Sequence, residues 1–168
     1  MRVFLSVMLM LVLSSGAFAV GNNGYGNISI RGVVIDAPCS VAPGDEDLQV
    51  NFGQVASASL TAGRASPAQD FSIRLLRCSR QMRNQVRVMF SGSAFSDGLF
   101  KPGSTEASFG IAIRDPHDRP VINGQPIAWQ ALADGDNVLH FSAFLKGRQQ
   151  TIAPGDFQAQ VLFYLEYQ

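Results

Sequence analysis

The chain has 168 residues, 13 of them basic and 13 acidic, so it has no bulk charge with which to hold nucleic acid or an anionic membrane surface. Charged residues make up only 15% while glycines number 16, a balance that favours short strands and tight turns over long solvent-facing helices. No internal repeat, low-complexity tract or coiled-coil heptad is present.

Residues 1–19 read as a secretory signal. Arg2 is a positive start, 3–13 is an apolar run broken only by Ser6, and Ala17-Phe18-Ala19 offers the small residues that a signal peptidase accepts. That run is shorter than the roughly 20 residues a spanning helix needs, and no later stretch is long and apolar enough, so no transmembrane segment is expected in the mature chain. Cleavage leaves roughly 150 residues, the size of one domain with one sizeable core.

Residues 20–31 differ from the rest of the mature chain. Val20-Gly21-Asn22-Asn23-Gly24-Tyr25-Gly26 is too rich in Gly and Asn to bury much surface on its own. Its even positions continue through Ile28 and Ile30, which is strand spacing without a core. Such a segment suits addition to the sheet of another molecule.

Seven strand-like runs come next, at 32–41, 48–55, 70–78, 85–91, 108–114, 137–146 and 157–167. Between them lie breakers such as Ala42-Pro43-Gly44, Asp115-Pro116, Asn123-Gly124-Gln125-Pro126, Asp134-Gly135-Asp136 and Ala153-Pro154-Gly155. Seven is an immunoglobulin-like count. Alternation assigns the core faces to Phe71, Ile73 and Leu75, to Val86, Val88 and Phe90, and to Leu139, Phe141, Ala143 and Leu145. The stretch 56–68 is small and polar, with Gly63 and Pro67, and reads as a loop with one helical turn. In the last run every odd position from Phe157 to Tyr167 is apolar, the period of a strand with one face in a core.

The two cysteines, Cys39 and Cys78, are expected to pair in an exported chain. Closing a loop of about 40 residues removes roughly 4 kcal/mol of unfolded-state entropy on the chain-entropy model. A two-thiol metal site lacks both a nearby His and a CxxC spacing.

Several pieces taken together in order carry a resemblance. They are Gly32-Val33-Val34-Ile35-Asp36-Ala37-Pro38-Cys39-Ser40-Val41, Val50-Asn51-Phe52-Gly53-Gln54-Val55, Phe71-Ser72-Ile73-Arg74-Leu75-Leu76-Arg77-Cys78, Phe109-Gly110-Ile111-Ala112-Ile113, and the tail from Gly155 with alternating apolar residues and a penultimate Tyr. The chain resembles the subunits of chaperone–usher fimbriae. The resemblance implies an all-β, incomplete immunoglobulin-like sandwich that lacks its final strand and is completed by a donated one. It divides the chain into a signal (1–19), a donor-strand extension (20–31) and a pilin domain (32–168).

On that resemblance Gly24, Gly26, Ile28 and Ile30 are the donor positions. Gly155, Phe157, Ala159, Val161, Phe163, Leu165, Tyr167 and Gln168 form the acceptor groove and the surface recognised by chaperone and usher, with Gln168 supplying a terminal carboxylate. The opposite wall is expected around Val33, Ile35 and Ala37. Asn22 stands where an apolar anchor of the arm is usual, with Val20 as the candidate replacement. The implied partners are a periplasmic chaperone, an outer-membrane usher and neighbouring subunits. The implied destination is a surface fimbria, reached through the periplasm, and no cofactor is implied.

Sharper chemistry finds little footing. There is no GxSxG elbow and there are only two His, which disfavours an exported hydrolase. His140 alternates outward, and His117 in Asp115-Pro116-His117-Asp118 is a weak metal candidate because ligands from one tight turn rarely converge. Arg74, Arg77, Arg80, Arg83 and Arg87 read as a patch for an anionic polymer or, preferably, as strand ends and a solvated turn. Trp129 reads as a sugar platform or, preferably, as a lid over the core. A tip adhesin or lectin is the alternative function. The arm at 20–31 argues against it, since a tip subunit has no further neighbour to donate to.

Overall fold

The computed structural model describes residues 28–32, 37–81, 83–103 and 107–168, and the chain divides into two units, Met1–Val34 and Ile35–Gln168. In the first unit residues 28–32 join no ladder. Ile28 and Ile30 are exposed, at 86% and 91%. Gly24, Gly26, Val33 and Ile35 lie outside the described residues.

The second unit contains β1 (Ser40–Val41), β2 (Gln69–Cys78), β3 (Gln85–Gly92), β4 (Phe109–Arg114), β5 (Gln130–Ala131), β6 (Gly135–Gly147) and β7 (Val161–Tyr167). They form two antiparallel sheets, ordered β1-β2-β6-β4 and β5-β3-β7. Among the described residues the helical elements are short 3-10 turns. This is the all-β, immunoglobulin-like architecture expected.

Alternation builds the core where period two places it. Ile73 pairs with Leu139 and Phe71 with Phe141 across β2 and β6, and Ile73, Leu75, Leu139, Phe141, Ala143 and Leu145 are buried. On the facing sheet Val86, Val88 and Phe90 are buried as well. Phe90 meets the Phe141 ring edge-on at 5.0 Å and the Phe71 ring at 6.4 Å. Each such side chain contributes about 1.5–3 kcal/mol when fully removed from water.

Cys39 and Cys78 are bonded, tying the start of β1 to the end of β2, and the Ser79 N–H donates to the Pro38 carbonyl beside them at 3.0 Å. Just before Cys78 the ladder slips in register. Arg77 takes a left-handed φ of 53° there, and its N–H donates to Asp136 Oδ1 at 3.1 Å.

Several elements differ from the sequence reading. Among its described residues the run 32–41 joins a ladder only at Ser40–Val41; Pro38, just before it, has no N–H to give and its carbonyl is taken by Ser79, and residues 33–36 lie outside the described set. The run 48–55 is no strand. Leu48, Val50, Phe52 and Val55 are half-buried and the residues between them mostly exposed, but no backbone hydrogen bond joins the run to another described segment. The run 157–167 enters a ladder only at Val161, where its partner β3 ends at Gly92. The two-residue β5 is too short to show alternation. In 56–68 there are two 3-10 turns, Ser57–Ser59 and Thr61–Gly63, rather than one turn. The second approaches β6 so closely that a Cβ on Gly147 would overlap the Leu60 carbonyl oxygen.

Candidate functional site: an open edge beside β7

β7 pairs with β3 from Val86↔Tyr167 to Gly92↔Val161, and among the described residues its other edge has no strand beside it. Its inward residues Val161, Phe163, Leu165 and Tyr167 are only half-buried, whereas their cross-strand neighbours Val86, Val88 and Phe90 are 0%, 0% and 3% exposed. Two adjacent strands of one sheet share one core face, and among the described residues the cover over β7, at the sheet edge, is less complete than that over β3. Burial nevertheless raises the pKa of the Tyr167 phenol above its usual value.

The segment 48–52, which has no backbone partner among the described residues, lies on the same core. Leu48, Val50 and Phe52 pack against it, half-buried like the β7 residues. Asn51 ends the segment by accepting the Gly53 N–H on its side-chain oxygen at 2.8 Å, with Gly53 at a left-handed φ of 59°. The Phe157 ring lies 6.1 Å from the Phe52 ring and 5.2 Å from that of Phe109. The half-buried side chains of β7 and of 48–52 thus pack on one face of the core, and among the described residues neither the free edge of β7 nor the segment 48–52 has a backbone partner. An edge of this kind is a template for another strand.

Of the residues expected in the groove, Phe157, Ala159, Val161, Phe163, Leu165 and Tyr167 all pack half-buried on the core. Gly155 is exposed and has open space where a Cβ would stand. The lead-in to β7 is held from one side, with the Gly103 N–H donating to the Gln158 carbonyl at 2.7 Å. Gln168 is held by its own chain, its main-chain oxygen accepting the N–H groups of Asn84 and Gln85 at 3.0 and 3.1 Å. Arg83 Nη1 donates to the Tyr167 carbonyl at 3.1 Å. Ala37 is half-buried. The sequence reading gives no groove role to Leu48, Val50 and Phe52, although their alternation is visible, because a pattern shows that a face is buried and not which strand is absent beside it.

Two of the five arginines of the basic stretch are paired with carboxylates. Arg74 is bound to Asp45 and Arg87 to Glu166 across the β3–β7 ladder, at 2.7 and 2.6 Å. Trp129, expected as a lid over the core, is half-buried instead under the Arg87 guanidinium, 4.4 Å from its ring centre. Arg87 alternates with the buried Val86 and Val88, so this stack lies on the outer face of the sheet. In the 115–118 turn the Asp115 carboxylate is already committed. It accepts the N–H groups of His117 and Arg119 at 2.9 and 3.0 Å and Arg119 Nε at 2.8 Å. Burial pushes its pKa up, but these donors outweigh that and hold it below the usual range. His140 is exposed, as its alternation implies.

An immunoglobulin-like sandwich whose second sheet stops one strand short, with an apolar trough at that edge, defines an incomplete sandwich. The Fimbrial protein family model matches residues 28–168, and the chain belongs to this family. Fimbria A protein of Serratia marcescens is 37% identical over 169 residues, covering 96% of this chain and 97% of that protein. The Major MR/P fimbria protein of Proteus mirabilis is 36% identical over 176 residues, covering 98% and 97%. Among solved structures the P pilus rod subunit PapA superposes with a TM-score of 0.70 at 26% identity, covering 79% of this chain and 100% of that one. The chain is a structural subunit of a bacterial surface fimbria.

Proposed function

We propose that the trough between β7 and residues 48–52 accepts a strand from another molecule, and that residues 20–31 of each subunit fill the trough of the next. One observation carries this reading: the inward side chains of β7 are half-exposed while those of its ladder partner β3 are sealed. An added strand completes the sheet, makes the unmade backbone hydrogen bonds and covers Val161, Phe163, Leu165 and Tyr167 together. On the donor side Ile28 and Ile30 stand exposed at strand spacing, each with about 1.5–3 kcal/mol to gain from burial. Gly24 and Gly26 carry no side chain to obstruct a close approach.

Before assembly a periplasmic chaperone covers the trough, and an outer-membrane usher exchanges that cover for the next subunit's arm. The chain is non-catalytic, and its part in adhesion is to build the fibre. Relatives named as major or rod subunits support this position over that of a tip adhesin. The test is uptake of a fluorescent peptide of residues 20–31 by the chain refolding from denaturant with its disulfide intact. Saturable uptake that disappears in Phe163→Asp is expected. Equal uptake by the wild type and Phe163→Asp would place the peptide elsewhere.

A further inference from the structure

The trough wall 48–52 has no described backbone partner of its own, so beyond the packing of Leu48, Val50 and Phe52 on the core its register is set at its ends. Ahead of it the chain leaves β1 by a corner. The Ala42 N–H donates to the Arg74 carbonyl at 2.9 Å, the last backbone bond between β1 and β2, and the Asp45 N–H then closes a turn onto the Ala42 carbonyl at 2.9 Å. Pro43 and Gly44 occupy the middle of that turn, with Gly44 at φ 90°, as a type II turn requires. The next N–H of the β2 edge, that of Arg74, is taken by a side chain. Asp45 Oδ2 accepts it at 2.7 Å, while Arg74 Nε and Nη2 grip the same carboxylate at 3.0 and 2.7 Å. The Asp45 side chain is 5% exposed and that of Arg74 54%.

The carboxylate thus stands where the carbonyl of a longer β1 would stand. It ends the β1–β2 ladder and fixes the point at which the chain turns off towards Leu48. We infer that the Asp45–Arg74 corner is a positioning element for strand acceptance: it sets the register of the wall 48–52 against which the incoming strand must pair. This rests on the acceptor reading of the trough. A charge-assisted, two-pronged grip is the kind of bond that holds a register, and its loss loosens one wall while the core, which lies on the other side of β2, stays packed. The corner therefore acts on the acceptor side of assembly and not on the donor arm.

Asp45→Asn removes the charge and one prong, and Arg74→Lys keeps the charge but loses the fork. Both are made in full chain carrying Ile28→Asp and Ile30→Asp, so that its own arm does not compete, and uptake of the 20–31 peptide during refolding is timed. Uptake slowed by about tenfold in both is expected, in keeping with loss of a hydrogen bond to a charged group. With the arm intact, both variants should donate to a wild-type trough at the wild-type rate. Asp115→Asn is the control, since that carboxylate is equally buried and equally bound to an arginine but holds the turn after β4. Uptake by Asp45→Asn and Arg74→Lys within about twofold of the parent would overturn the inference. So would equal slowing by Asp115→Asn, which would reduce the effect to general stability. If the parent itself takes up no peptide, the acceptor reading falls first and separately.

Discussion

Truncating Phe163 to Ala should reveal the trough as a difference between two states of one molecule. Phe163 lies opposite Phe90 in the β3–β7 ladder. Phe90 is 3% exposed and packed among Phe71 and Phe141, so Phe90→Ala should cost the full penalty of a core phenylalanine, about 3–5 kcal/mol. Phe163 is only half-buried, so in the unfilled chain the same truncation should cost roughly half of that, about 2 kcal/mol. Once a strand fills the trough, Phe163 becomes core, and Phe163→Ala should lose a further 1–2 kcal/mol or so. Denaturant unfolding of each variant, alone and with saturating 20–31 peptide, measures both terms. We expect the peptide to widen the gap between the wild type and Phe163→Ala and to leave the gap for Phe90→Ala unchanged. Equal penalties for the two variants in the unfilled chain, with no change on adding peptide, would show that β7 is already covered.

Cys39→Ser should lower periplasmic accumulation through a loss of about 2–5 kcal/mol, and thiol titration of the folded wild type should find no free Cys39 or Cys78. Gly147→Ala should drive a methyl group into the Leu60 carbonyl and lower stability by what overpacking costs, about 1–3 kcal/mol, read as a lower thermal midpoint. Asp45 has its pKa lowered by the Arg74 side chain and N–H. Its contribution is therefore complete above the ordinary aspartate value of 3.8 and is lost as pH falls through the lower folded value. Asp115, whose binding to Arg119 and the turn N–H groups outweighs its burial, shifts in the same direction. Unfolding midpoints measured down the acid limb should fall less steeply in Asp45→Asn and Asp115→Asn than in the wild type, and unchanged slopes would count against both pairs.

The strands β2, β3 and β6 are legible in the sequence because each has a partner on which to act out its alternation: Ile73, Val88 and Leu139 are buried where period two puts them. The run 48–55 has the same pattern and no ladder. Side-chain alternation records which face meets a core, while a ladder also needs a neighbouring backbone, and nothing in residues 48–52 reveals whether one is present. Alternation does not carry the half-exposure of Phe163 and Leu165 either, since the letters of β7 are those of a sealed strand; only the family resemblance implies it. The corner at Asp45 depends on Arg74, 29 residues away, and only the fold brings them together. Arg87 and Trp129 are similar, since their stack forms on the outer face of β3, where alternation assigns no partner.

The central claim is that each subunit has one donating end and one accepting edge, and a mixing experiment tests it most directly. A chain with Ile28→Asp and Ile30→Asp should accept but not donate, and a chain with Phe163→Asp should donate but not accept, because each change would place an unpaired charge in the completed core. Masses are read by light scattering after each variant is refolded alone and after the two are refolded together. We expect neither to form oligomers alone, and the mixture to stop at a one-to-one heterodimer in which the Phe163→Asp chain's arm lies in the other's trough. Polymers from either variant alone, or a mixture that stays monomeric while the wild type assembles, would contradict it.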